Sequence, residues 1–336
     1  MSTDINCRVS VMITFCNQKQ YVEDCLSSVL SQKTDFPFEI LCGDDCSTDG
    51  TYEELLKWEQ QYPDVISVYQ TDKLSLSGSE PIVRASNNRI NLLRNAKGRY
   101  LCFLDGDDYY IDDQKLQKQY EILERFPDAS ACFHPVSLKM DKEQQDGLWS
   151  RYSDKMFSVS NKDYWGCLWS HAETFMFRHS DHDLVNSINK DFFDDNLITA
   201  YFIKTGRVIY TPEVMSVYRQ ISDSSWNRRT EFEKNYINLL VYQESKRVLP
   251  KMKKQCFIKC YDSIRFLFDN RNKDWSVCQS PHLKLCEPLY VDTVRYRESG
   301  FGFKMLYVIK WMFPLYFGKV LKVFGNKLEK CTRKYI

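Results

Sequence analysis

The feature that most constrains this chain is the alternation, from Arg8 to Pro127, of short apolar runs with amphipathic stretches. "RVSVMITF" (Arg8 to Phe15) has the nearly unbroken apolar character of a strand buried on both faces. The helix predicted after it carries Tyr21, Cys25 and Val29 on one stripe, with Val22, Leu26 and Leu30 beside it. "FEILCGDD" reads as a second strand and runs into "CSTDGTYEELLKW", where Thr51 and Glu54 have the spacing of a capping box. Pro63 ends that helix, and Val65 to Gln70 gives a third strand. Pro81 opens a helix through Ala96, with Gly98 placed as its left-handed C-terminal cap. "RYLCFL" is the fourth strand, followed by a helix with Leu116, Tyr120 and Leu123 on one side. Such alternation with short loops implies an α/β fold: a Rossmann-like, mostly parallel central sheet flanked by helices.

Beyond Ala129 the alternation loosens. "ASACFHPVSLKM" and "HAETFMFRH" read as strands, "DDNLITAYFIKTG" as a helix closed by Gly206, and "RVIYTPEVMSVYR" as a further strand or hairpin. From Arg228 to about Asn270 the pattern is helical. The expected division is therefore an α/β domain over residues 1–225 and a helical C-terminal region over 226–336.

In open α/β sheets ligands bind beyond the carboxyl ends of the strands. Here the polar clusters fall at those ends: Thr14 to Asn17 after the first strand, "GDDCSTDG" after the second, "DGDD" after the fourth. Three polar tips are thus expected at one crevice. The last of them, within "FLDGDDYY", puts three carboxylates in four residues, which repel one another and are costly to bury. Residues i and i+2 of an extended segment share a side, so Asp105 and Asp107 can face one point, with Gly106 allowing close approach to the backbone. Oxygen ligands without nitrogen or sulfur donors suit Mg²⁺ or Mn²⁺. A tight Asp-Gly turn with solvated charges is the plainer alternative; the position at a strand end, in register with two other polar tips, favours the cation.

Composition excludes other classes. With 336 residues, 43% hydrophobic and 27% charged, the chain is globular rather than disordered. A net charge of +1 gives the whole molecule no polyanion-binding character, so no nucleic-acid partner is expected. The thirteen cysteines include no CxxC pair; Cys42/Cys46 and Cys256/Cys260 lack the histidines of a zinc set. An odd count without a signal peptide indicates free thiols in a reducing cytosol. His179 and His182, in "RHSDHD", read as a solvated loop rather than a metal site.

"VSVMITFCNQKQYVEDCLSSVLSQ", "EILCGDDCSTDGT", "NLLRNAKGRYLCFLDGDDYY" and "GRVIYTPEVMSVYR" together resemble the family 2 glycosyltransferases, which have the GT-A fold. The likeness runs in order from about Arg8 to Arg219. It implies transfer of a sugar from a nucleotide diphosphate donor, a UDP-sugar, to an acceptor hydroxyl with inversion. It implies that Thr14, Phe15 and Asn17 flank the base and ribose, and that Asp45, with Asp44 beside it, takes a hydrogen bond from the uracil ring. Arg84 falls where related enzymes place a nucleotide-contacting arginine. Asp105 matches the acid near the ribose and metal shell, and Asp107 the acid that binds the metal. The acceptor's base is expected in "FFDDNLITAY" as Asp195, with Asp194 its neighbour; the alternative is that either one caps the following helix. Relatives carry a histidine after "VYR" where this chain has Ile221 and Ser222, so Arg219 or Ser224 would have to substitute. Cys46 replaces a common glycine.

The segment from Phe301 to Ile336 holds eight Lys or Arg and one Glu, interleaved with aromatic residues. Its longest uncharged run from Lys310 to Lys319 is eight residues, far short of the ~20 a bilayer span needs. Aromatic residues with snorkelling lysines suit a helix lying on an anionic membrane surface; a helix pair packed on the catalytic domain is the alternative. With a glycan or lipid-linked acceptor, as in capsule, lipopolysaccharide or O-antigen assembly, the protein is expected at the inner face of the cell membrane. A nucleotidyltransferase of related fold would need a glycine-rich basic loop after the first strand, and "TFCNQKQY" has no glycine. A non-catalytic sugar-nucleotide-binding module remains the other alternative.

Overall fold

Val9 to Phe15 form β1, whose side chains are almost all sequestered, as its apolar run requires. In the computed structural model the described residues are 7–71, 81–140, 147–149, 152–159, 170–179, 184, 186, 193, 195–221, 224, 226–248, 263 and 266. After a short 3₁₀ turn at Lys19–Tyr21, α1 (Val22–Leu30) buries Val22, Cys25, Leu26 and Val29. Then come β2 (Phe38–Asp44), α2 (Thr51–Gln61), β3 (Ile66–Gln70), α3 (Pro81–Asn95), β4 (Tyr100–Asp105), β5 (Tyr109–Tyr110) and α4 (Lys115–Arg125). The chain continues through β6 (Ala129–Phe133), β7 (Val136–Met140), β8 (Gly147–Trp149), β9 (Phe157–Val159), β10 (Met176–Arg178), α5 (Asp195–Thr205), β11 (Arg207–Tyr210), β12 (Ser216–Gln220) and α6 (Glu231–Val248).

Eight strands form the main sheet in the order β3-β2-β1-β4-β10-β6-β11-β9. The first four are parallel, and β10 inserts antiparallel between β4 and β6. β1 aligns Thr14 with Asp105 of β4 and Phe15 with Asp44 of β2, so the three polar tips end at one level. The core between the sheet and α1, α2 and α4 is built from Val11, Ile13, Leu26, Ile40, Cys102 and Leu116, all fully buried. A second sheet of four strands has the order β5-β12-β7-β8.

The segment predicted as one strand over "ASACFHPVSLKM" is two strands in two sheets. Pro135 has no N–H to donate to a ladder, and at His134–Pro135 the chain leaves the main sheet for the second. "RVIYTPEVMSVYR" makes the same crossing between β11 and β12. Each crossing strand keeps its neighbour: β11 runs parallel to β6, and β12 parallel to β7.

Two helix-end expectations are corrected. No side chain caps α2 at Gly50; the Asp49 carboxylate instead accepts from the Thr51 N–H (3.0 Å) and hydroxyl, so no Thr51/Glu54 capping box forms. Gly98 is not left-handed: among the described residues Gly50 is the glycine with positive φ, at 90°. A reciprocal box forms instead at α6, where Thr230 and Glu233 exchange main-chain donors at 2.7 and 3.2 Å.

Packing divides the chain into one unit of Met1–Arg228 with Glu244–Met252 and a second of Arg229–Gln243 with Lys253–Ile336. Both sheets belong to the first. No helix among the described residues is long and apolar enough to cross a membrane. The basic, aromatic segment from Phe301 lies outside the described residues, as do Asp194, His182 and the Cys256/Cys260 pair.

Candidate active site

At the tip of β1, Thr14 Oγ1 donates to Asp105 Oδ1 at 3.0 Å. Asn17 is left-handed (φ 53°), which asparagine tolerates. Its side-chain oxygen accepts from the Thr48 N–H at 2.8 Å, and its own N–H donates to Ser47 Oγ at 2.8 Å. Phe15 contributes main chain only: its ring is 1% exposed, and its carbonyl accepts from the Asp45 N–H at 2.9 Å. That ring also fills the space over Gly106, where an added Cβ would lie 2.2 Å from it. The missing side chain at Gly106 thus makes room for Phe15.

At the tip of β2, Asp44 is fully buried and accepts from the Ser47 N–H (3.1 Å) and Gln70 Nε2 (3.3 Å). Asp45 pairs with Arg84 Nε at 3.3 Å, while its Oδ1 is buried with no hydrogen-bond partner among the described residues. Burial pushes the Asp45 carboxyl up, with the Arg84 charge opposing. Cys46 keeps the left-handed conformation (φ 55°) that a glycine would supply, and its thiol meets the Thr71 carbonyl at 3.1 Å.

Arg89, which the sequence reading did not single out, joins the third tip to α5. Its Nη2 donates to both oxygens of Asp105 (2.9 and 3.2 Å), and its Nη1 to Asp195 Oδ1 (3.1 Å) and the Phe193 carbonyl (3.3 Å). Asp195 Oδ2 accepts from the Ala172 N–H at 3.3 Å. The Asp195 carboxylate is therefore turned towards Arg89 and Ala172. Burial works against the charge on Asp105, but Arg89 and the Thr14 hydroxyl outweigh it and hold its carboxyl below the usual range. Asp107 has no such arginine on its side chain; burial, with Asp105 beside it, pushes it up to about 7 despite a hydrogen bond from Gln18.

Beneath the tip lies a set of buried ionisable groups. Asp108 is fully buried and accepts from the Arg219 N–H at 2.7 Å. Burial and then Glu173 push its carboxyl well up, and Glu173 is raised by its own burial. Lys115, also fully buried, donates to Gln119 at 2.7 Å and sits over the Tyr110 ring at 4.3 Å. Arg219 donates to the Asp107 carbonyl at 2.8 Å, pairs with Asp24, and stands over the rings of Tyr21 (5.0 Å) and Tyr109 (4.4 Å). Its guanidinium is spent on shaping the loop, and Ser224 is held in a turn by Ile221 and Asn227. The described imidazole near the acids is His171, stacked on Tyr218 at 4.0 Å; burial pushes its pKa down, with the Asp195 and Asp105 charges opposing. His179 lies in the half-buried loop after β10, where its Nδ1 meets the Gly98 carbonyl at 2.9 Å.

Among the described residues no three His, Cys, Asp or Glu side chains gather as a metal-holding group. The donors present still fit a hard divalent cation. Asp107 offers carboxylate oxygens at this tip, next to those of Asp105. Mg²⁺ and Mn²⁺ are commonly held by one or two carboxylates, with water and substrate oxygens completing the shell.

Parallel strands ending in carboxylates, with a further acid at a helix start, gather these groups at the carboxyl edge of an α/β sheet, the edge at which such sheets bind ligands. The model of glycosyl transferase family 2 matches residues 10–185, more than half of this chain, which belongs to that family. An uncharacterised protein of Mycobacterium tuberculosis is 27% identical over 226 residues, covering 65% of this chain and 60% of the relative. The chain thus spans about three fifths of the length of such curated relatives. TuaG of Bacillus subtilis, a putative teichuronic acid biosynthesis glycosyltransferase, is 38% identical over 115 residues, 34% of this chain and 41% of TuaG. Among solved structures, Staphylococcus aureus TarS 1-349 in complex with UDP-GlcNAc superposes with a TM-score of 0.57 at 17% identity, covering 91% of this chain and 81% of that one. The fold is GT-A.

Proposed function

We propose that this chain is an inverting glycosyltransferase. It moves a sugar from a nucleoside diphosphate donor, a UDP-sugar, to a hydroxyl of a glycan or lipid-linked acceptor in cell-surface polysaccharide synthesis. The observation that carries this reading is that Asp105, at the end of β4, and Asp195, at the start of α5, are drawn to one guanidinium beside the tips of β1 and β2. Asp45 Oδ1, a buried acceptor without a partner among the described residues, suits the imide N–H of uracil. Thr14, Asn17 and the main chain of Phe15 border the base and ribose, with Asp44 beside Asp45 and Arg84 paired to it. TarS, seen with UDP-GlcNAc, and TuaG, named for teichuronic acid biosynthesis, support a nucleotide-sugar donor and a cell-wall glycan acceptor.

Asp195 takes the proton from the acceptor hydroxyl; the acceptor oxygen bonds to the anomeric carbon, and the bond from that carbon to the diphosphate breaks with its electron pair leaving on the phosphate oxygen. Asp107, with Asp105, would hold a divalent cation, Mn²⁺ or Mg²⁺. Such an ion supplies charge neutralisation to the departing diphosphate. Asp194 is the neighbouring acid in this scheme. Residues 1–225 form the catalytic domain, and the basic segment from Phe301 brings it to the inner membrane face.

A thermal-shift panel of nucleotide sugars with and without Mn²⁺ tests the proposal. Selective stabilisation by one UDP-sugar with Mn²⁺ is expected. Equal response to all, or none, would rule the donor class out.

A further inference from the structure

We infer that Arg89 is a positioning residue that fixes the donor-side acid Asp105 and the acceptor-side acid Asp195 in one constellation, an inference that rests on the function proposed above. One guanidinium divides its two terminal nitrogens between carboxylates from distant segments: Nη2 holds Asp105 and Nη1 holds Asp195. The planar fork sets those nitrogens at a fixed spacing, which a lysine ammonium cannot reproduce. Arg89 is only 15% exposed, so its pairs are poorly screened by water.

The arginine is itself held. Asn88, its neighbour on α3, donates to the Gly43 carbonyl of β2 at 2.8 Å. Ser86 Oγ accepts the Phe193 N–H at 2.8 Å while Arg89 donates to the Phe193 carbonyl, so both main-chain groups of Phe193 are clamped by α3. The Phe193 ring meets Phe103 of β4 edge-on at 5.7 Å. Asp195 follows two residues later. One helix thereby anchors β2, two strands from β4, and the segment that delivers Asp195, while its Arg89 reaches the acid at the end of β4. Without the guanidinium the two carboxylates would only repel each other.

The test is a double-mutant cycle read by thermal unfolding of the full chain, without ligand. Asp105→Asn and Asp195→Asn are combined in the presence of Arg89 and again with Arg89→Gln. With Arg89 present, the double variant should lose about 3 °C more than the two single losses together, because the guanidinium is left buried with neither partner. With Arg89→Gln the excess should shrink to the small remainder of the same sign that carboxylate repulsion leaves, under about 1 °C, and an equal excess in both backgrounds would overturn the inference. Simple additivity in both backgrounds would overturn the inference. Arg89→Lys separates positioning from mere charge: the coupling should stay lost, and its return would overturn a role for the fork.

Titration calorimetry of UDP with Mn²⁺ carries the same logic to the donor side. The effect of Asp195→Asn on UDP affinity should differ about threefold between the Arg89 and Arg89→Gln backgrounds. Equal effects would overturn the link between the two sides. A wild-type chain that binds no UDP in the presence of Mn²⁺ would overturn the proposed donor, and the unfolding cycle would still decide the role of Arg89.

Discussion

Arg219 Nη1 donates to the main-chain carbonyl of Asp107 over 2.8 Å, so β12 of the second sheet sets the shape of a loop that leaves the main one. The same side chain is stacked over Tyr109 and Tyr21. Arg219→Ala removes a charged hydrogen bond and two cation–π contacts, and should cost about 2–3 kcal/mol in urea unfolding. Arg219→Lys should recover less than half of that, because an ammonium cannot serve the carbonyl and Asp24 from the same plane.

Gly106 and Phe15 are matched in shape. A methyl at Gly106 would lie 2.2 Å from the Phe15 ring, so Gly106→Ala must displace either the ring or the acidic loop. A loss of about 1–3 kcal/mol is expected by denaturant titration. Adding Phe15→Leu should return part of it by making room, whereas two independent lesions would sum.

Cys46 holds a left-handed backbone that costs a side chain about 1–2 kcal/mol. Cys46→Gly relieves that cost and forfeits a weak thiol contact to Thr71. The melting temperature should rise by about 2 °C. Cys46→Val, branched at Cβ, should lower it.

His134 is fully buried; burial and then the Lys115 charge push its pKa well down, against a hydrogen bond to the Pro135 carbonyl. The folded protein keeps it neutral while the unfolded chain protonates below about pH 6.5. Its contribution is therefore present above that pH and lost as pH falls, by up to about 1.4 kcal/mol per pH unit. The unfolding free energy of wild type minus that of His134→Asn, followed from pH 7.5 to 5, should fall with that slope. A flat difference would show His134 protonated in the fold.

Asp107→Ala should reduce hydrolysis of the donor by about a hundredfold or more while the fold melts normally. Asp195→Asn should retain donor binding to within a few-fold and lose about 10²–10⁴ of the transfer rate, measured with donor and acceptor together. Full transfer by that variant would point to another base.

The first four strands and their tips were readable because each apolar run passes directly into polar residues, and β1 needs no distant partner to be identified as buried. Arg89 was not singled out because arginine is common on helices. Its signal was positional: it shares a helical face with Ser86 and Leu93, one turn to either side, both of which are buried. The second sheet was invisible for a different reason. β7 and β12 each begin a few residues after a main-sheet strand, and apolar periodicity does not say which ladder a strand joins. Arg219 could be weighed only as a ligand for substrate, since nothing local tells that Asp24, far earlier in the chain, meets it.

The paired crossing of β6–β7 and β11–β12 has a mechanical consequence. Two parallel ribbons turn the same corner together, with the Thr211 N–H bonded to the Phe133 carbonyl at the bend. Neither ribbon can swing alone without breaking the ladder to its companion on both sides of the corner. The layer that carries Arg219 is thus braced like a folded girder, and amide protons of Val217 to Arg219 should exchange with solvent as slowly as those of Val208 to Tyr210.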